Sequence, residues 1–222
     1  MSEAIESFLP YVIPRATMCP EPLAIQSIRL AAIEFCRRTN VVRRVQSQNI
    51  VATTQDYTPT AVTDMVVARV LKSWVEGKLL DTASDVDDPT ALVGANIGSA
   101  TVRRGYPRIL FFKTPVQLTT GVIVASLYPV PDTSITNGLT LLLSMQPSEA
   151  STTVEDVLFD DFHDAIASGA LARITAVPNQ TYSSNMAGDH RKEFLAACHA
   201  AKWRTETGSG QVSLRVEPRR FV

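Results

Sequence analysis

Apolar positions recur with helical spacing at both ends of this 222-residue chain and lose that spacing in its middle. Between Val157 and Arg204, residues Leu158, Phe162, Ala165, Ile166, Gly169 and Ala170 fall on one helical arc, while Asp160, Asp161, Asp164 and Ser168 fall outside it. The spacing predicts one amphipathic helix, stopped by Pro178 and Asn179. Ser183, Ser184 or Asn185 then caps a second helix, whose stripe is Ala187, Phe194, Ala197, Cys198 and Ala201. Small residues on both stripes allow close antiparallel packing. Near the other end, Pro20 and Pro22 suit the first turn of a helix. From Leu23 to Arg38, Ala24, Ile28, Ala31, Ala32 and Phe35 share a face that excludes Glu34 and Arg37. Burying Ile28 and Phe35 contributes about 1.5–3 kcal/mol each, so this helix needs a partner, and the C-terminal pair is the natural one. Residues 1–18 read as an extended, Pro-punctuated lead in which Phe8, Leu9, Tyr11, Val12 and Ile13 are available to pack.

The middle is strand-like. Val41 to Thr58 is rich in Val, Gln and Thr, and Asp64 to Leu80 reads as strand, turn, strand, with Glu76-Gly77 as the tip between Val66–Val75 and Lys78–Leu80. Residues 81–100 are a polar excursion. Pro107–Lys113, Gly121–Tyr128 and Leu139–Met145 follow as three more strands, with Asn137-Gly138 as a turn before the last. Several short strands with β-branched filling predict a small antiparallel sandwich or open barrel. The fold class is therefore α+β: a helical bundle of the N-terminal helix and the C-terminal helix pair, with an inserted antiparallel β domain. The expected divisions are 1–40, 41–150, 151–207 and a tail from 208 to 222.

That tail follows a hinge, Thr205 to Gly210, and alternates Val212, Leu214 and Val216 against Gln211, Ser213, Arg215 and Glu217 before ending in Arg219, Arg220, Phe221 and Val222. Three readings stand: a disordered terminus, an edge strand of the chain's own β domain, or an arm that adds a strand to another protein.

Composition narrows the function. Hydrophobic residues make up 45% of the chain and charged residues 19%, enough for a real core. A net charge of −1 gives no general attraction to nucleic acid, so any DNA contact is local or passing. Cys19, Cys36 and Cys198 are odd in number and irregularly spaced, which argues for ordinary thiols in a reducing compartment. The N-terminal sequence has no basic leader, and no run of eighteen apolar residues occurs, so neither secretion nor membrane insertion is expected.

Motifs for catalysis fail on spacing. Asp85, Asp87 and Asp88 suggest a calcium loop, yet Thr90 stands where the sharp-turn glycine belongs and Asn96 where the bidentate glutamate belongs. Gly94 to Gly98 has a phosphate loop's glycines without its lysine. His163, His190 and His199 lack metal-ligand spacing, and the cysteines form no CxxC pair. His163 and Asp164 are adjacent on a helix and diverge, which spoils them as a base and its orienting group. Asp160, Asp161 and Asp164 lie in the first turns of their predicted helix, where they favour its dipole. No catalytic residue, cofactor or metal is expected. Arg103, Arg104 and Arg108 are the densest basic cluster before the tail, read either as a solvated loop or as a lumenal, phosphate-facing one. Trp203 lies opposite the Phe194–Cys198 stripe, beside His199, Ala196 and Lys192, and is a candidate for a subunit contact. Arg173 falls near the apolar arc of its helix and needs a carboxylate, for which a neighbouring subunit is a plausible source.

Two stretches carry a family resemblance. The H-D-A-I-x-x-G-A-L-x-R run from His163 to Arg173, followed by a turn and an F-x-x-A-x-x-x-A-K helix, resembles the head-to-tail adaptor (connector) proteins of tailed bacteriophages. The N-terminal F-L-P, C-P-E-P and E-F-C-R-R-T segments resemble the same family. The likeness covers the first forty residues and the last sixty-five; the β region matches only in pattern, and Thr181-Tyr182 stands where many relatives have a Trp. The resemblance implies a virion neck protein assembled in the host cytoplasm: a ring of identical subunits, usually twelve, docked on the portal protein, with a tail, nozzle or tube protein below. Double-stranded DNA would pass through its channel without sequence specificity. It also favours the arm reading of the tail, with Val212, Leu214, Val216, Arg219, Arg220 and Phe221 docking on the portal. A tail-completion or tail-terminator ring protein is the runner-up, and a small intracellular enzyme with an unrecognised site comes third.

Overall fold

The computed structural model describes residues 2–60, 62–83, 104–113, 123–178, 180 and 185–207. The fold mixes helix with largely antiparallel sheet. Two compact units divide the chain, one of residues 1–7 and 42–161, the other of residues 8–41 and 162–222. The first seven residues and residues 151–161 therefore belong with the strands, unlike the divisions expected from sequence.

In the β unit, β1 (Ser2–Ala4) pairs with β10 (Thr153–Glu155). A four-stranded sheet has the order β2 (Arg43–Ile50), β9 (Ile135–Pro147), β4 (Met65–Val75), β5 (Lys78–Leu79). A second runs β3 (Asp56–Tyr57), β8 (Val124–Tyr128), β7 (Ile109–Lys113), β6 (Asp81–Ala83), and only its β6–β7 pair is parallel. Leu139, Leu141, Leu143 and Met145 alternate along β9 and are fully buried, as are Leu110 on β7 and Ala125 and Leu127 on β8. The β4–β5 hairpin turns at Glu76 (φ 47°) and Gly77 (φ 77°), the two left-handed residues that a type I′ turn demands.

Two bulges shape β4. Its pairing with β9 skips Ala68 and then Leu71, and each skip re-phases the strand by one residue. Val70, Ser73 and Val75 consequently turn inward, while Arg69 and Lys72, three apart, both turn outward and are exposed. Asn137-Gly138 is not the turn expected before the strand. It lies inside β9, where Ile135 pairs with Ile50 and Leu139 with Gln48, leaving an irregularity that Asn137 accommodates at φ 51°. The Asn137 N–H donates to the Asn49 side-chain oxygen at 2.8 Å. The turn-forming dipeptide thus serves as a left-handed bulge rather than as a hairpin tip.

The N-terminal segment differs from the extended lead expected. A 3-10 turn over Ile5–Phe8 leads into α1 (Leu9–Val12) and a second 3-10 turn over Ile13–Arg15. Ile5, Phe8 and Val12 recur at helical spacing and are buried, and Pro10 is tolerated in the first turn, where its missing N–H costs nothing. Helix α2 (Glu21–Thr39) opens with Pro22 in its first turn, buries Ala24, Ile28, Ala31, Ala32 and Phe35, and closes on Asn40 in the left-handed conformation.

The long helix predicted from Val157 onward is two helices. α3 (Asp156–Asp160) belongs to the β unit, and α4 (His163–Thr175) to the helical one. The apolar arc runs unbroken across the join, so its periodicity gives no sign of the break. Asp160 therefore ends a helix instead of beginning one, and Asp161 caps that end; only Asp164 keeps a first-turn place. α4 stops at Thr175, just ahead of Pro178. α5 (Ala187–Thr207) buries Phe194, Cys198 and Ala201. Gly169 on α4 is the point of closest approach: a Cβ there would lie 2.7 Å from the Phe194 ring and 3.1 Å from the Ala31 Cβ. Phe35 stacks at a tilt on Phe162 and Phe194, with centroids 5.0 and 6.3 Å apart.

Candidate functional site

Among the described residues of the helical unit, charge is most concentrated around Glu34. Its carboxylate accepts from Arg191 through both oxygens, at 2.6 and 3.0 Å, from Arg173 at 2.8 Å and from Arg38 at 2.8 Å. One acid on α2 thereby collects an arginine from its own helix, one from α4 and one from α5. Arg191, which also lies over the Phe194 ring with its guanidinium carbon 5.4 Å from the centroid, does most to hold the Glu34 carboxyl at about 2, far below its ordinary 4.5; Arg38 and Arg173 add to the effect. Ionised at every physiological pH, Glu34 is unsuited to proton transfer. Its chemistry is that of a clamp, tying three helices together through a bidentate pair with Arg191 and single bonds to Arg173 and Arg38, and leaving two positive charges in excess.

Arg173 is thus supplied with a carboxylate, but by Glu34 of its own chain. The reason for placing it at a subunit contact falls away. The helical spacing places Glu34 on the solvent side of α2, and nothing local marks a role for it. The Glu34–Arg38 spacing of four was visible, whereas the partners 139 and 157 residues away were not. Beside the clamp, Ser168 donates to Glu193 at 3.3 Å, and His190 lies 3.5 Å from the same carboxylate. Burial pushes the Cys198 thiol up to about 11, which keeps it protonated and unreactive.

His163 packs its ring against Tyr11, with centroids 4.6 Å apart, and its Nε2 lies 3.6 Å from the Asp164 carboxylate, beyond hydrogen-bond reach. Trp203 is 59% exposed on α5, and His199 is exposed on the same helix, both away from the buried Phe194–Cys198–Ala201 row. Arg104 and Arg108 are exposed in the segment leading into β7, where Gly105 and Arg108 donate backbone N–H groups to Val130 and Tyr128. Arg103, the acidic 85–88 loop, the 94–98 glycines and the whole tail, with Val212, Leu214, Val216, Arg219, Arg220 and Phe221, lie outside the described residues. Among the described residues no group of three or more His, Cys, Asp or Glu is placed to hold a metal ion, and no helix is long and apolar enough to cross a membrane. Comparison with models of known protein families and with curated proteins finds no match to this chain.

Proposed function

We propose that the protein is a structural virion component: a ring-forming head-to-tail adaptor that docks on the portal of a tailed bacteriophage and joins it to the tail, with DNA passing through its channel. One observation carries the reading. The two segments that bear the family resemblance are more than a hundred residues apart in sequence, yet they meet: Arg173, which ends the H-D-A-I-x-x-G-A-L-x-R run, donates to Glu34 of E-F-C-R-R-T at 2.8 Å, and Gly169 of that run is seated against Phe194 and against Ala31 of the N-terminal helix. The glycine of that run is thereby accounted for by packing, which is what a shared helical bundle with an inserted β domain requires. In this reading the protein performs no catalysis, needs no cofactor or metal, and works through its surfaces: Trp203 and His199 toward a neighbouring subunit, the 208–222 tail toward the portal, and Arg104 and Arg108 toward passing DNA.

Electron microscopy of the purified chain, alone and mixed with portal rings, tests this. A ring stacked on the portal is the expected result. A ring that binds tail tubes and ignores portals selects the tail-terminator reading, and a monomer inert toward both removes the family.

A further inference from the structure

The outward side of the β2-β9-β4-β5 sheet carries cations, aliphatic side chains and a tryptophan and, among the described residues of its strands, no carboxylate. Register sets Val45, Leu142 and Lys72 in one row across the sheet, Ser47, Thr140, Trp74 and Leu79 in the next, and Arg43, Ser144 and Arg69 in the row on the other side. Val45 is 65% and Leu79 64% exposed, Trp74 is half-buried between them, and Arg43, Arg69 and Lys72 are exposed. The two β4 bulges turn both Arg69 and Lys72 to this side, and neither forms an ion pair among the described residues. A single exposed aliphatic side chain needs no explanation, but this combination matches a partner that offers an apolar contact ringed by acid. Trp74 is the one aromatic side chain in these rows and is half-buried, so successive nucleobases find no run of stacking platforms, which favours protein over nucleic acid.

The same unit carries the complement. In α3 and the residue after it, Asp156, Asp160 and Asp161 surround Val157, which is itself 37% exposed, and Asp160 and Asp161 are exposed. We infer that the outer face of this sheet docks on the acidic α3 turn of a second copy of the chain. Each copy presents both patches, so the contact is heterologous and propagates, and it closes into a ring where the rotation per step divides a full turn. The inference deepens the ring reading proposed above, and it is tested apart from portal binding.

The test uses two full-length variants, Arg69→Glu/Lys72→Glu and Asp160→Lys/Asp161→Lys, followed by sedimentation velocity and microscopy with and without portal rings. The wild type should assemble, more weakly as salt rises. Each variant alone should associate at least about tenfold more weakly, with an unchanged melting midpoint. An equimolar mixture should assemble again, because the acid face of one variant meets the basic turn of the other. Should glutamates destabilise the sheet, Arg69→Gln/Lys72→Gln makes the same test by neutralisation. Either variant assembling like the wild type, a mixture of well-folded variants that stays monomeric, or a wild type monomeric alone and on portal rings would overturn the contact. Rings that form through another face and still bind portal defeat this inference and leave the adaptor reading intact; assembly through this face without portal binding does the reverse. Retention of double-stranded DNA that is lost in Arg69→Glu/Lys72→Glu while self-association is unchanged would hand the face to nucleic acid and overturn the inference.

Discussion

Glu34 accepts from arginines on α2, α4 and α5, and its behaviour with pH follows from these partners. A carboxyl held at about 2 when folded and near 4.5 when unfolded contributes stability that is fully present above pH 4.5 and is lost as the pH falls from there toward 2. Its side chain is only 18% exposed, but its arginines are each more than a third exposed, so screening reduces the benefit. Glu34→Gln should cost about 1–2 kcal/mol at neutral pH, since it leaves three guanidinium groups crowded with no counter-charge. Thermal melts at several pH values check this: the gap between wild type and variant should narrow between pH 4.5 and about 2, and a gap constant over that window would show that the loss is steric. Gly169 makes the opposite kind of test. Alanine is a better helix former by about 1 kcal/mol, yet its Cβ would collide with a Phe194 ring that is wholly buried. Gly169→Ala should therefore destabilise by about 1–3 kcal/mol in denaturant unfolding, against the helix propensity.

At the scale of elements, the helical stripes were legible and their interruptions were not. The α2 face reads directly from Ala24 to Phe35 because a period of 3.6 has no competing explanation there. The break between Asp161 and Phe162 hides because the apolar residues on either side stay in phase. Strand β4 hides its bulges for the converse reason: Arg69 and Lys72 share a side only after Ala68 and Leu71 are taken out of the pairing, and a strict alternation would have separated them. Asn137-Gly138 shows the limit of turn chemistry, since the left-handed conformation that makes the pair a good turn also suits a bulge. The Glu76-Gly77 tip was read correctly, and Glu76, at φ 47°, occupies the position where Asn is preferred. Glu76→Asn should raise the melting midpoint slightly and leave assembly untouched. On α5, Trp203 was rightly separated from the buried stripe because it falls on the opposite face. Trp203→Ala should change stability by less than about 0.5 kcal/mol, as expected of an exposed position, and should weaken subunit association if the tryptophan anchors a neighbour. Analytical ultracentrifugation beside a thermal melt separates the two effects.

The whole molecule is two units that interleave in sequence, with the helical one assembled from residues 8–41 and 162–222. The Glu34 clamp could not be read from the sequence because its arms come from segments that only the fold brings together, whereas the motifs that resemble those of the adaptor family could be read because each is local. Truncation after Thr207 should leave both units folded, since their buried rows end before it, and should weaken portal attachment if the tail is the docking arm. We propose that this chain is a ring-forming adaptor of the phage neck. Cryo-electron microscopy of portal rings mixed with the full-length chain tests it most directly: a closed ring of this protein seated coaxially on the portal is predicted, and portal rings that remain bare at saturating concentrations of a folded protein would contradict it.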